Sequence, residues 1–417
     1  MHLKTILNLT ENHPLFVYES FELVKGEPRH CLAVKIRPRK GSSPICSGCD
    51  KSRSGYDTLP EREFHHVPLW GISVLFRYAM RRVQCPDCGI KVETVPWASG
   101  KRPLTKSFMH VLSHWARKLS WTEVARSFST SWEQVFHSVD YIVKWGLKHR
   151  KLDGITAIGI DEIQWHRGHK YLTLVYQINS DCVRLLWIGK DRTAKTLLIF
   201  FRMLGKPRYQ EIRFVCSDMW KAYLKVVGKK VPQAIHILDR FHIVAKLNKA
   251  IDEVRAGEHR KMQQDGYEPL LKNSRWALLK RKENMTDKQE IKLKILLKYN
   301  LKSVRAYLLK EEFQHFWDYA SPIWAGKFLD QWCTAVMRSK LEPLKKIAKT
   351  LRNHKPLILN WFRAKKQFSS GIVEGLNNKV KLTLRKSYGF RTFKCTEIAL
   401  YHSLGKLPEP PITHKFY

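Results

Sequence analysis

The stretch Gly154-Ile155-Thr156-Ala157-Ile158-Gly159-Ile160-Asp161 decides how this chain is read. Its apolar, β-branched run is the pattern of a buried strand, and it ends on an acid. Tyr171 to Ile178 and Val183 to Ile188 repeat the strand pattern. Turns at Arg167-Gly168 and Asn179-Ser180-Asp181 join them, which predicts an antiparallel meander. A helix over about Thr193 to Leu204 is expected next, then a strand from Ile212 to Cys216 closing on Ser217-Asp218. A helix from Trp220 to Val227 and a short strand from Ala234 to Leu238 complete the series. Three strands, helix, strand, helix, strand is the element order of a ribonuclease H-like fold. In that order the first strand is central and the fourth lies beside it, so Asp161 and Asp218 are expected to meet.

Paired carboxylates at such strand ends can hold two divalent ions, Mg2+ or Mn2+, roughly 3.5 to 4 Å apart, one activating an attacking oxygen and the other stabilising the leaving oxygen of a phosphodiester. A third acid on a later helix would complete the set. Glu374 is the candidate, in Ser369-Ser370-Gly371-Ile372-Val373-Glu374-Gly375-Leu376-Asn377-Asn378, with Ser370 expected to cap the helix and Asn377 and Asn378 one turn on. Glu162 is the obvious rival to Asp161, but strand alternation turns it to the opposite face.

Working outward, the N-terminal side carries Cys46-x-x-Cys49 and Cys85-x-x-Cys88. Two such pairs can supply the four thiolates that structural Zn2+ prefers. The 35 residues between them exceed the usual ribbon spacing and read as a hairpin, with Val67-Pro68-Leu69-Trp70-Gly71 leading into Ile72 to Val83 and with Arg77, Arg81 and Arg82 near the second pair. His65 and His66 lie inside this loop as rival ligands. Cys31, Cys182, Cys216, Cys333 and Cys395 lack ligand spacing and read as buried thiols. From Leu104 to Trp145 the period becomes helical. Ser120 and Glu123 form a capping box before Trp121 to Phe128, and after a break at Ser129 to Ser131 a second helix starts at Trp132. Two helices joined by so short a turn predict a helix-turn-helix.

On the C-terminal side, 131 residues separate His242 from Glu374. Their helical pattern predicts an α-helical insertion within the catalytic domain, in which Trp276, Trp317, Trp324 and Trp332 could stack on an unpaired base, although helical spacing favours core roles. The fold expected is therefore α+β and multidomain. A zinc-finger-containing domain spans 1–98 and a helix-turn-helix 99–150. The first part of the catalytic core spans 151–245, the helical insertion 246–365, and the last core helix with a basic segment 366–417.

Charge supports this reading. The 75 Lys and Arg against 37 Asp and Glu leave +38, while 44% hydrophobic residues suffice for folding, so a disordered basic tail is excluded and a polyanion is the expected partner. No stretch is apolar enough to span a bilayer, no secretion signal is evident, and the unpaired cysteines suit a reducing compartment, which predicts a cytoplasmic, nucleoid-associated protein. From Gln331 to Tyr417 there are 18 Lys and Arg against 4 acids. Lys379, Lys381, Arg385, Lys386, Arg391 and Lys394 follow Glu374 closely enough to contact phosphates near a scissile bond. Arg81, Arg82 and Trp132 are further DNA-contact candidates.

The chain resembles the bacterial insertion-sequence transposases of the ISL-three family, DDE enzymes with an N-terminal four-cysteine finger. The resemblance rests on Cys46 to Cys49, Arg81-Arg82-Val83-Gln84-Cys85-Pro86-Asp87-Cys88, Leu119-Ser120-Trp121-Thr122-Glu123-Val124-Ala125, Ile158-Gly159-Ile160-Asp161-Glu162, Ser217-Asp218-Met219-Trp220, Asp239-Arg240-Phe241-His242 and Gly371 to Phe393. It implies metal-dependent cleavage and strand transfer at terminal inverted repeats, with Asp161, Asp218 and Glu374 as the catalytic triad and His242 near the active site. Pairing two DNA ends implies at least a homodimer on DNA. His65-His66 departs from the family pattern, where an acid is common. A DNA-binding regulator without chemistry and a purely hydrolytic nuclease are the competing readings.

Overall fold

The computed structural model describes all residues except 1, 26–29, 167, 269, 368–370 and 412–417. The chain divides into two compact units, one formed by Met1–Lys151 with Val380–Tyr417 and the other by Leu152–Lys379. The expected cap at Ser370 and the turn residue Arg167 lie outside the described residues.

In the first unit, helix α1 (Leu3–Thr10) precedes strands β1 (Phe16–Val24), β2 (Cys31–Pro38), β3 (Ser54–Leu69), β4 (Ile72–Cys85) and β5 (Gly89–Val92). They form one sheet in the order β1-β2-β4-β3, with β5 also paired to β4. Strands β3 and β4 are a long antiparallel hairpin whose turn, Trp70-Gly71, has positive φ at both residues, as a twisted two-residue hairpin requires. Phe64, Phe76, Tyr78 and Trp97 fill its core. Helices α2 (Lys106–Ala116), α3 (Trp121–Ser127) and α4 (Trp132–His149) follow. Ser120 and Glu123 form a capping box at α3, Ser129 takes φ +50° in the turn without a glycine, and Ser131 caps α4.

The second unit opens with β6 (Ala157–His166), β7 (Lys170–Ile178) and β8 (Val183–Lys190), an antiparallel meander. Helices α5 (Ala194–Leu204) and α6 (Lys206–Gln210), strand β9 (Phe214–Ser217), helix α7 (Lys221–Lys230) and strand β10 (Ile235–Leu238) complete a five-stranded sheet ordered β10-β9-β6-β7-β8. Strand β9 runs parallel to β6, and β10 parallel to β9. One face is closed by α5 and α7 over Ile158, Ile160, Val175, Phe200, Val215 and Tyr223. Helix α8 (Arg240–Gln264) then leads into α9 (Arg275–Leu279), α10 (Asp287–Leu296), α11 (Lys302–Gln314), α12 (Pro322–Arg338), α13 (Glu342–Asn353) and α14 (Lys355–Arg363). The first of these begins at Arg240, not near residue 246, because Asp239 ends β10 and at once caps α8 by accepting from the Phe241 N–H.

Helix α15 (Gly371–Lys386) covers the other face of β6, and α16 (Phe393–Leu404) ends the described helices. The division at 379/380 falls within α15, so its second half and the basic segment group with the first unit, where α16 packs on α4, and not with the unit that carries Glu374. Gly159 is where α15 crosses β6. A Cβ there would clash with Val373 Cγ2. Gly159→Ala should therefore destabilise the second unit by about 1–3 kcal/mol through overpacking, read as a lower denaturant midpoint with an unchanged m-value.

Candidate active site and thiolate centre

Strand register builds the site. Ile160 is the cross-strand partner of Ser217, and Ser217 is the partner of Leu238. The next residue on each strand is an acid: Asp161, Asp218 and Asp239. Strands β9 and β10 end at their acids, whereas β6 runs on past Asp161 to His166, paired with β7, contrary to the strand end expected there. The three adjacent parallel strands still carry one carboxylate each, in a row set by the spacing between strands of about 4.8 Å. Asp161 and Asp218 were expected from their strand ends. Asp239 carries the same signal, an acid directly after a short apolar strand, and joins the row through the same pairing.

Each carboxylate is held by named donors. Asp161 accepts from the Glu162 N–H at 2.8 Å through Oδ1 and from the Asn377 side-chain amide through Oδ2. Tyr176 donates to Asn377 Oδ1 at 2.7 Å, which fixes the amide orientation. Asp218 Oδ1 accepts from the Trp220 N–H at 3.0 Å. Burial raises the proton affinity of both acids, and each feels a neighbouring carboxylate, Asp218 for Asp161 and Asp239 for Asp218. The Glu162 and Trp220 N–H donors oppose this first, for Asp161 and Asp218 respectively, and the neighbouring His242 and, for Asp218, Lys246 act in the same direction. His242 Nε2 also lies 3.6 Å from Asp239 Oδ2. Glu162 does point to the other face, where Arg192 donates to its Oε1 at 3.1 Å.

Glu374 is exposed in the first turn of α15, three positions before Asn377 and so on the same side of the helix. Asp161, Asp218 and Glu374 do not bring their oxygens within 4.8 Å of one another. Among the described residues the one group of three or more ligand-bearing side chains that does so is Cys46, Cys49, Cys85 and Cys88. The carboxylate row nonetheless offers hard oxygen donors of concentrated negative charge, the donor set that suits Mg2+ or Mn2+.

The four thiols fit zinc closely. All four sulfurs converge, with Cys49 Sγ 3.6 Å from Cys85 Sγ, as a tetrahedral thiolate shell requires. Gly48 is needed for the approach, since a Cβ there would lie 2.8 Å from Cys88 Sγ. Desolvation opposes ionisation of Cys85, but the backbone N–H donors of Asp87 and Cys88 together with hydrogen bonds from Cys49 and Cys46 lower the thiol to about 6. Neither histidine joins the group: His66 is buried, stacked on Phe76 and bonded to Thr105. Among the other cysteines, Cys216 and Cys333 are buried, whereas Cys31, Cys182 and Cys395 are only partly so, contrary to expectation.

The expected DNA contacts separate into two kinds. Arg81 is mostly buried and committed to Glu93, donating through Nε at 2.9 Å and Nη2 at 2.7 Å, with a further bond to the Ser42 carbonyl. Its guanidinium has a structural task, because moving it would strand the buried Glu93 carboxylate. Lys386 likewise caps α2, donating to the carbonyls of Ala116 at 3.1 Å and Arg117 at 3.0 Å. Arg82 pairs with Asp57 at the surface. Lys379, Lys381, Arg385 and Arg391 are exposed, as is Trp132, whose ring stacks on Phe136. Of the four tryptophans between α8 and α14, Trp332 is a core residue bonded to the Leu309 carbonyl and Trp317 packs among Phe313, Phe316 and Trp361, while Trp276 and Trp324 are exposed.

The acid row lies in a chain of net charge +38, and the family match makes that chain a DNA-processing enzyme. Residues 158–400 match the family model of the ISL3 DDE transposases, described as transposase, and the chain belongs to this family of insertion-sequence transposases. The transposase for insertion sequence element IS1001 of Bordetella parapertussis is 28% identical over 369 residues, which is 88% of this chain and 89% of that protein. The transposase for IS1557 of Mycobacterium tuberculosis is 29% identical over 411 residues, 92% of this chain and 91% of the other. No described helix is long and apolar enough to cross a membrane.

Proposed function

We propose that this chain binds the terminal inverted repeats of its insertion sequence and catalyses metal-dependent cleavage and strand transfer on a ribonuclease H-like core, with Asp161, Asp218 and Glu374 as the catalytic triad. The observation that carries the reading is the register of β6 and β9, which sets Asp161 beside Asp218 while α15 delivers Asn377 to Asp161. Two Mg2+ or Mn2+ ions, when bound, would supply Lewis-acid activation of the attacking and leaving oxygens. Asp161, Asp218 and Glu374 would hold them. Asn377 and the Glu162 and Trp220 N–H groups keep the two aspartates aimed, and His242 stands beside Asp239 at the same edge. Water frees a 3′ hydroxyl, which then attacks a phosphodiester of target DNA and releases a new 3′ hydroxyl, so no bond to protein forms. One zinc ion on Cys46, Cys49, Cys85 and Cys88 shapes the finger, and α3 and α4 act as the helix-turn-helix that reads the repeat. Arg82, Trp132, Lys379, Lys381, Arg385 and Arg391 contact the duplex, and two copies hold the two ends.

End-labelled inverted-repeat DNA incubated with Mg2+ or Mn2+ tests this, with joined products expected. Nicks without joining would make the chain a hydrolytic nuclease, and end binding with neither would make it a regulator. Joining should fall steeply with salt, since each lost phosphate contact lowers the slope of log affinity against log salt by about 0.9.

A further inference from the structure

The face of β6 opposite Asn377 carries a second set of contacts that the reaction as described does not use. Arg192, in the loop between β8 and α5, donates from Nη1 to Glu162 Oε1 at 3.1 Å. Its guanidinium carbon lies 3.9 Å from the ring centroid of Tyr171 and 4.7 Å from that of Trp220, so the cation packs over both aromatic rings. The arrangement is pinned from both sides. The Trp220 indole N–H donates to the Arg192 carbonyl at 3.1 Å, and Thr173 Oγ1 donates to the carbonyl of the preceding residue, Asp191, at 2.6 Å. The Asp191 N–H in turn donates to the Tyr171 carbonyl at 2.9 Å.

These contacts close a circuit. Asp161 is held by the Glu162 N–H, Glu162 by Arg192, Arg192 by Trp220, and the Trp220 N–H holds Asp218. One loop cation therefore ties together the supports of both aspartates from behind the sheet. It also restrains Glu162, which is mostly buried, has a second oxygen without a partner, and feels both Asp218 and Asp161.

We infer that Arg192 is a positioning residue of the active site: through Glu162 and Trp220 it fixes the spacing and aim of Asp161 and Asp218. The inference rests on the proposed reading of this row as the metal-binding site. Supporting contacts behind metal ligands typically account for about 10- to 100-fold in metal affinity or activity. Lysine would not substitute, because it can pair with Glu162 but cannot lie flat over the rings.

The test is Mn2+ binding to the full-length protein by titration calorimetry, beside cleavage of repeat DNA and thermal unfolding without metal. R192Q should bind Mn2+ about 10- to 100-fold more weakly and cleave correspondingly more slowly, with end binding unchanged. Because R192Q leaves the Glu162 charge unpaired, E162Q/R192Q serves as the stable companion. It should recover the metal-free melting temperature but not the Mn2+ affinity. R192K should remain impaired. Wild-type Mn2+ affinity in R192Q, or in E162Q/R192Q where R192Q fails to fold, overturns the role of Arg192. D218N separates the two levels: if wild-type Mn2+ binding does not depend on Asp218, it is the reading of the row itself that fails, and the positioning role fails with it.

Discussion

Asp161→Asn and Asp218→Asn should each lower cleavage of repeat DNA on the order of a thousandfold, equivalent to about 4 kcal/mol of transition-state stabilisation, while end binding persists. The amide keeps the size and the acceptor oxygen of the carboxylate. At Asp218 it can still receive the Trp220 N–H, so the loss isolates the charge. A second readout separates catalysis from folding. Burial first, and then neighbouring acids, raise the proton affinity of both groups in the fold. The sign follows from linkage: a carboxyl whose folded value lies above its unfolded value favours the fold when protonated, and that contribution is lost as pH rises through the folded value. Above that range the metal-free protein carries the penalty, and Asp218→Asn removes it. The melting temperature of D218N without metal should therefore equal or exceed that of wild type at neutral pH, and the increase that Mn2+ gives wild type should be lost. A variant that unfolds, or one that still cleaves, would remove Asp218 from the chemistry.

The same row shows what sequence can carry. An apolar run followed by an acid is a local signal, so Asp161 and Asp218 are legible with the element order around them, although β6 continues to His166 instead of ending at Asp161. Pairing is not local. That Ser217 sits opposite both Ile160 and Leu238, and so brings Asp239 into line, depends on register between strands far apart in the chain. Cation roles were read least well. An arginine beside a metal-binding pair looks alike in sequence whether it faces phosphate or a buried acid, and Arg81 faces Glu93, whose position is set by the bridge between Cys46 and Glu93. The partners of Lys386 are hidden for a related reason, since the α2 carbonyls it caps belong to a helix far back in the chain. Arg192 gave no signal at all: its partners come from β6, β7 and the start of α7, and only the folded sheet assembles them.

Replacing Cys46 or Cys85 by Ser should have the other large effect, because the segment around the thiols has little else to hold it. The apolar contacts there reduce to Val83 and the cysteines themselves, and all four residues of β5 are exposed. Backbone pairing attaches the segment through the short β4–β5 ladder, the Ile45–Ser52 and Cys46–Glu93 bridges and the end of the β3–β4 ladder at Ser54–Gln84. Structural zinc contributes about 10–16 kcal/mol in isolated finger peptides, far beyond what so few contacts supply. The aromatic core around Phe64, Phe76, Tyr78 and Trp97 does not depend on the thiols and should persist. The expected result is thus local: zinc measured by elemental analysis falls from one equivalent per chain to none, amide exchange accelerates over residues 44–53 and 85–93, and the exchange of β3 and the body of β4 changes little. End binding should weaken at least about 100-fold if the finger presents Arg82 and its neighbours to DNA, since an unfolded module must be ordered before it can bind. Cys182→Ser, outside the cluster, should retain full zinc and full binding. Retention of one zinc equivalent by C85S would mean that three thiolates and another donor suffice, and retention of end binding without zinc would move DNA recognition away from the finger to α3 and α4.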